Sequence, residues 1–498
     1  MYKYIIYLFL SLIILNTSFA KTNNKINSRV IQQKADECLT CHFDNESNNN
    51  EPAHLFKQDI HFSKGIACAG CHGGDSSKDD MDEAMDKNKG YIGILSKEER
   101  YQVCVKCHSD PNKMKSFGSN IPTDQFEKLK GSIHFIKSVN AVTPIADCVT
   151  CHSVHNIASV KDPRSKVYPA NVPSLCKSCH SNPTFMKQYN PSLPVDQYEK
   201  YRTSVHGKQN LKGDAKVAEC VSCHGNHDIL SVKNSKSPVY PSNVPQLCST
   251  CHSDKNLMDK YKLPHDQYEN YKGSIHGEAL FVKQDLSAPA CNDCHGNHGA
   301  TPPGVESISN VCGTCHAFNA ELFAKSPHKK AFDKLKYPEC ITCHSNHKIV
   351  HATDELLGVA KNSKCVQCHK NEPNDKGFMI AAEMKSLFDS LESADKISLD
   401  LLKSASQKGM DVSEADYSLK QIKQILIQAR TITHLSDIKE FKDKMDEGFI
   451  ITNKTKQAGL DAIDEFYFRR YGLGIATIII TFLVVLLYIK TKRIDKKK

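Results

Sequence analysis

Cys38-Leu39-Thr40-Cys41-His42 opens a series that closes on Cys365-Val366-Gln367-Cys368-His369. Between them the form C-x-x-C-H recurs until all 22 cysteines of the 498-residue chain are used, in eleven motifs. The pairs are Cys38 and Cys41, Cys68 and Cys71, Cys104 and Cys107, Cys148 and Cys151, Cys176 and Cys179, and Cys220 and Cys223. They continue as Cys248 and Cys251, Cys291 and Cys294, Cys312 and Cys315, Cys340 and Cys343, and Cys365 and Cys368. Each pair is followed at once by a histidine: His42, His72, His108, His152, His180, His224, His252, His295, His316, His344 and His369. C-x-x-C-H is the attachment signature of c-type haem, in which two thiols add to the vinyl groups and the histidine reaches the iron from one face. A zinc ribbon does not require the histidine, a thioredoxin-like dithiol needs one motif, and a disulfide scaffold does not keep one spacing. The motifs therefore predict covalent haem c, eleven per chain.

The motifs fall into a repeat. Val167-Tyr168-Pro169-Ala170-Asn171-Val172-Pro173-Ser174-Leu175-Cys176 returns as Val239-Tyr240-Pro241-Ser242-Asn243-Val244-Pro245-Gln246-Leu247-Cys248, an offset of 72 residues. Each full unit holds a simple motif, an aromatic-rich stretch ending in Ser-x-His, and a second motif extended to C-x-x-C-H-x-x-H. The Ser-x-His histidines are His134, His206 and His276, and the extended motifs begin at Cys148, Cys220 and Cys291. A shortened unit carries His328 and the motif at Cys340, a reduced first unit has His61 before Cys68, and a lone motif closes the series at Cys365. At about 30 residues per haem the chain is too short to build an ordinary apolar core. The porphyrins must supply it. The expected fold is mainly α with much irregular structure: two-haem repeats, then a helical bundle or stalk and one C-terminal transmembrane helix.

Of 24 histidines, thirteen lie outside the eleven motif positions. His265 is matched by Val195 and Thr123 at the equivalent repeat positions, and His434 lies far from any motif, so both read as surface residues. The remainder are His54, His61, His134, His155, His206, His227, His276, His298, His328, His347 and His351, eleven histidines for eleven irons. His54 and His351 have no support from the repeat. The second histidine of an extended motif is too close in sequence to grip both faces of one haem, so it is expected to ligate a neighbouring haem and interlock the units. The ten methionines show no such recurrence. Two histidines per iron fill both faces and favour electron transfer at a potential below that of Met/His ligation.

The aromatic stretch closing on Ser-x-His-Gly (Tyr198 to Gly207, and again before Gly277), followed by C-x-x-C-H-x-x-H, resembles the bacterial multihaem c-type cytochromes over residues 38–369. The resemblance implies electron transfer outside the cytoplasm, between a membrane partner and periplasmic redox proteins. That partner would be a quinol-oxidising cytochrome b or iron–sulfur subunit, because the expected anchor has no histidine to hold a haem of its own. A second reading is an oxidoreductase acting on a small nitrogen or sulfur compound at one haem with an open axial position. No C-x-x-C-K motif of the kind found in nitrite and tetrathionate reductases occurs.

The remaining organisation follows from composition. Residues 1–20, with Lys3, an apolar run from Ile5 to Leu15 and small residues before Lys21, read as a secretory signal. Residues 21–37 are a linker, 38–375 the haem domain and 376–470 a helical stalk. Phe378, Ala381, Met384, Phe388, Leu391 and Ala394 keep helical spacing there, as do Leu419, Ile422, Leu426 and Ala429. Ser413-Glu414-Ala415-Asp416 reads as a capping box, and a third helix is expected to start near Ser436. Residues 471–489 carry no charge and are long enough to cross a bilayer. The basic run 490–498 behind them predicts a cytoplasmic tail and an ectodomain on the far side of the inner membrane. The formal charge of +9 is concentrated in that tail. With eleven ferric haems at about −1 each, the ectodomain is acidic, at about −8, and nothing makes a case for nucleic acid as a partner.

Overall fold

The computed structural model describes residues 36–45, 51–97, 99–136, 145–301 and 308–496. The expected signal, nearly all of the linker, and Lys497 and Lys498 lie outside them. The described residues contain helices and no strand. They fall into two units, one of residues 1–202 with 206–237, the other of residues 203–205 with 238–498.

Within the haem segment the helices are short, and the repeat accounts for their form. In the full units the simple motif ends a nine-residue helix: Arg100–His108, Val172–His180 and Val244–His252. Pro173 and Pro245 stand in the first turn of theirs, where no intrahelical N–H is missed. The extended motif occupies a single turn: Cys148–His152, Cys220–His224 and Cys291–His295. The backbone then breaks sharply. The residue after the motif histidine has φ of 72° at Ser153, 78° at Gly225, 78° at Gly296 and 68° at Ser345, each with ψ near ±180°. This region is essentially reserved for glycine. It lets the chain leave the motif histidine in extended form and present the second histidine elsewhere.

The serine of each Ser-x-His is buried: Ser132, Ser204, Ser274 and Ser326 are 0 to 2 % exposed. Ser274 Oγ accepts from Gly277 N at 3.0 Å, capping the short helix that carries His276. In the reduced first unit Asp59 takes this place, accepting from His61 N at 2.8 Å. The residue after the cap donates its backbone N–H to a carbonyl just beyond the second histidine of a later extended motif. Ile60 donates to Ile157 (2.8 Å), Ile133 to Ile229 (2.8 Å), Val205 to Ala300 (3.0 Å) and Ile275 to Ile349 (2.9 Å). Successive repeats are thus tied by one recurring backbone bond. Apolar clusters here are small, such as Leu39, Ala53 and Phe56, or Val244, Tyr271, Leu280, Ala288 and Ala290.

The second unit also holds a bundle of three helices, Lys376–Gln407, Ser413–Ile432 and Ile438–Asp495. Its core contains Met384, Phe388, Leu391, Leu402, Leu419, Ile422, Leu426, Ala429, Phe441 and Met445. On the third helix the buried residues Phe441, Met445, Gly448, Thr452, Thr455, Gly459 and Ala462 alternate steps of four and three, a coiled-coil stripe. The rings of Phe388 and Phe441 lie 5.3 Å apart, Gly448 meets Leu391, Ser398 Oγ donates to Thr452 O at 3.2 Å, and Gly459 meets Leu401. Partner numbers rise together, so the first and third helices run parallel and the second returns between them. The expected capping box is not formed. Ser413 is already helical, and its N–H and hydroxyl both donate to Asp411 Oδ1 (3.0 and 2.7 Å). The third helix starts at Ile438, capped by Asp437, and continues unbroken into its apolar stretch. An 18-residue window of that stretch has mean hydropathy 2.6, and none of it is buried.

The bundle is not separate from the haem segment of its unit. Arg430 Nε and Nη2 donate in a fork to Asp354 Oδ1 and Oδ2, both at 2.7 Å, and Nη2 reaches Glu392 Oε1 at 3.2 Å. The guanidinium holds Asp354 below its ordinary value of 3.8. Arg430→Ala should therefore cost about 1 kcal/mol for a partly exposed fork. Because the folded Asp354 is the stronger acid, its contribution is complete above the ordinary carboxylate range and is lost as pH falls below about 4. Thermal unfolding of wild type and variant should converge below that pH. The backbone break gives a second expectation: Ser345→Gly, relieving a positive φ, should stabilise by about 1 kcal/mol. Gly225→Ala should destabilise, because its Cβ would stand 2.9 Å from Asp228 Oδ1. Denaturant midpoints of the haem-loaded protein check both.

Candidate haem-binding sites

No disulfide joins the cysteines, and their neighbours follow chain order. The first cysteines of the two motifs in one repeat lie side by side: Cys104 with Cys148, Cys176 with Cys220, Cys248 with Cys291, and Cys312 with Cys340. Between repeats the second cysteine of a unit's last motif lies close to the next simple motif. Cys71 meets Cys107, Cys151 meets Cys179, Cys294 meets Cys312 and Cys315, and Cys343 meets Cys365 and Cys368. Cys38 and Cys68 are also neighbours. Within each unit, then, every motif stands beside the next one in sequence.

The histidines pair with equal regularity. In the first unit His61 faces His108 with ring centroids 6.0 Å apart, His134 faces His180 at 6.1 Å, His72 faces His155 at 6.0 Å, and His152 faces His227 at 6.1 Å. In the second, His276 faces His316 at 6.3 Å, His328 faces His369 at 6.0 Å, His295 faces His347 at 5.9 Å, and His344 faces His434 at 6.1 Å. Ring-on-ring packing would bring them closer. Two metal–imidazole bonds of about 2 Å, plus about 1 Å from each nitrogen to its ring centre, give about 6 Å. The spacing fits one iron between each pair.

Two registers generate these pairs. The histidine of Ser-x-His, or of Asp59-Ile60-His61, faces the simple motif of the following repeat. The second histidine of an extended motif faces the motif histidine of the preceding extended motif, or at His155 that of Cys68. Ring orientation supports ligation through Nε2. The Nδ1 of His61 bonds Asp59 (2.8 Å), that of His72 the Gly93 carbonyl (3.0 Å), that of His295 the Thr301 carbonyl (3.1 Å) and that of His328 Ser436 Oγ (2.9 Å). Such partners fix the tautomer and aim the opposite nitrogen at the metal. Burial pushes His134 and His152 down to about 4, keeping them neutral, the form that binds metal.

A family model of cytochrome c3 matches residues 60–181, and one of cytochrome c554 and c-prime matches residues 13–73 and 311–390. The chain is a multihaem c-type cytochrome. No curated protein and no solved structure matches it. As such a cytochrome it binds haem c covalently and transfers electrons.

Two histidines stand where the sequence reading does not lead one to expect them. His351 is exposed, and its Nε2 lies 2.8 Å from Glu278 Oε2, on the nitrogen that iron would need. His434, read as a surface residue, stands opposite His344 instead. His265 is exposed, as its repeat equivalents indicate. His42 and His54 lie on the adjoining helices Glu37–Asn45 and Pro52–Phe56, with the His54 ring 4.1 Å from Phe43. His206 sits on Val205–Asn210 and His298 follows the helix Cys291–His295; with His224 and His252 they occupy the repeat positions described above. Sequence reasoning did not identify the acidic residues behind the rings. Asp375, which caps the first bundle helix, is 2.8 Å from His369 Nδ1, and backbone N–H groups of Lys370 and Phe378 hold its carboxyl down to about 2. An anionic acceptor makes the imidazole a stronger donor and favours ferric iron. Asp375→Asn should therefore raise the reduction potential of the haem on Cys365 and Cys368, with the other haems unchanged in a spectroelectrochemical titration.

Proposed function

We propose that the cytochrome carries eleven haems, each between two imidazoles, and serves as a membrane-anchored conduit outside the cytoplasm. It would relay electrons between a quinol-linked membrane partner, a cytochrome b or iron–sulfur subunit, and periplasmic redox proteins. The observation that carries this reading is the set of eight histidine pairs at 5.9 to 6.3 Å. With both faces of an iron filled, no position is left for a substrate. Haem supplies reversible one-electron exchange when bound.

The protein's part is positional. The thiols anchor each porphyrin edge, and the two histidine registers hold the irons rigidly, so that oxidation changes little around them. Serial contact of the motifs, from Cys38 to Cys220 in one unit and from Cys248 to Cys365 in the other, supports passage in chain order within each. The apolar end of the third helix supports anchoring. The basic residues after it support a cytoplasmic tail and an inner-membrane location with a signal-directed ectodomain.

Mass measurement of the purified protein should give eleven haems, and the EPR spectrum of the fully oxidised protein should be low-spin throughout. Pairs with near-parallel rings, such as His295 and His347 (6°), and near-perpendicular ones, such as His61 and His108 (89°), should produce distinct classes of low-spin signal. A high-spin ferric signal equal to one haem per chain would sink the pure conduit and assign catalysis to that iron.

A further inference from the structure

The repeats run out at their C-terminal end. His72, His152 and His295 each face the second histidine of a later extended motif, at His155, His227 and His347. The motif at Cys340 is the last of the extended kind. Its own second histidine, His347, is committed to His295, and no further extended motif follows to serve His344. Within the haem segment only His351 is near in sequence, and its Nε2 is held by Glu278.

We propose that the helical bundle completes this site: His434 ligates the iron of the haem on Cys340 and Cys343, opposite His344. The inference rests on the bis-histidine reading above. His434 lies on the turn Thr433–Leu435 between the second and third bundle helices, 65 positions beyond the last motif histidine. Its ring is 6.1 Å from that of His344 and inclined by only 20°. Its Nδ1 donates to the Thr431 carbonyl at 2.9 Å, as His72 and His295 donate to carbonyls, so Nε2 is the nitrogen presented. The helix Ala317–Lys325 packs on this turn, and the Arg430 fork to Asp354 stands four residues before His434. Two further bundle groups reach the final haem site: Ser436 Oγ meets His328 and Asp375 meets His369. The bundle is therefore a coordinating element for the haem on Cys340 and Cys343, and it fixes both ligand rings of the last haem through their Nδ1 atoms.

Full-length His434→Ala in detergent should keep eleven haems by mass but gain a high-spin ferric EPR signal equal to one of them. Added imidazole should remove that signal. His434→Met, which retains a ligand, should stay low-spin while one haem titrates at a higher potential. His351→Ala should match the wild type in both measurements. The proposal fails if the His434→Met titration is unchanged, or if the high-spin signal appears in His351→Ala instead. Wild-type protein lacking its haems or already high-spin would instead reject the bis-histidine reading itself. These failures are separable because one lies in the wild type and the other only in the variants.

Discussion

The structure depends on pairs of imidazole rings held about 6 Å apart by segments distant in sequence. Each pair is a demand on geometry, since a metal bond would tolerate little error in distance and the two rings come from different repeats. His72 and His155 are separated by an intervening simple motif and its helix, as are His152 and His227. A chain tied in this way cannot form one repeat without its neighbours. The buried serines, the backbone bonds such as Ile133 N to Ile229 O, and the abrupt turn after each extended motif bring these rings into line. Apolar burial, usually the main driving force of folding, is sparse outside the bundle.

Much of this was legible in the sequence because it repeats. The thiols and motif histidines are contiguous, and their chemistry permits one reading. The distal histidines became legible by comparing repeats, which also set His265 aside. The place of His434 was not legible for the same reason: it stands at the last repeat, so nothing recurs to mark it, and the His344 ring opposite is remote in sequence. His351 looked suitable by proximity, but proximity does not reveal that its Nε2 is already bonded. The capping box at Ser413 failed on a finer point. Asp411 lies two residues earlier and accepts both of the serine's donors, so the helix begins one residue sooner than the motif implies. The role of the serine in Ser-x-His needed the fold, because its value lies in being buried.

The bundle shows how a coiled-coil stripe can change character along one helix. Near the haems the third helix packs with Phe441 and Met445; farther along it packs with Gly448, Thr452, Thr455 and Gly459, which bring the first helix close. Large side chains fill the end where the bundle meets the turn carrying His434. Small ones narrow the end that leads to the apolar stretch. The return helix between them brings its final turn back to the haem segment, placing a lone histidine where the repeats have none to offer.

The parallel run of the first and third helices has a consequence for reach. From Ile438, beside the His434 turn, to Tyr471 the third helix is continuous for 33 residues, about 50 Å at the α-helical rise. With the apolar stretch in a bilayer, the last two haem sites stand that far along the helix from the lipid. No single tunnelling step crosses such a gap. Any redox partner embedded in that bilayer would have to be tall enough to meet these sites, or exchange a mobile carrier with them, so the length of one helix would act as a filter on partners.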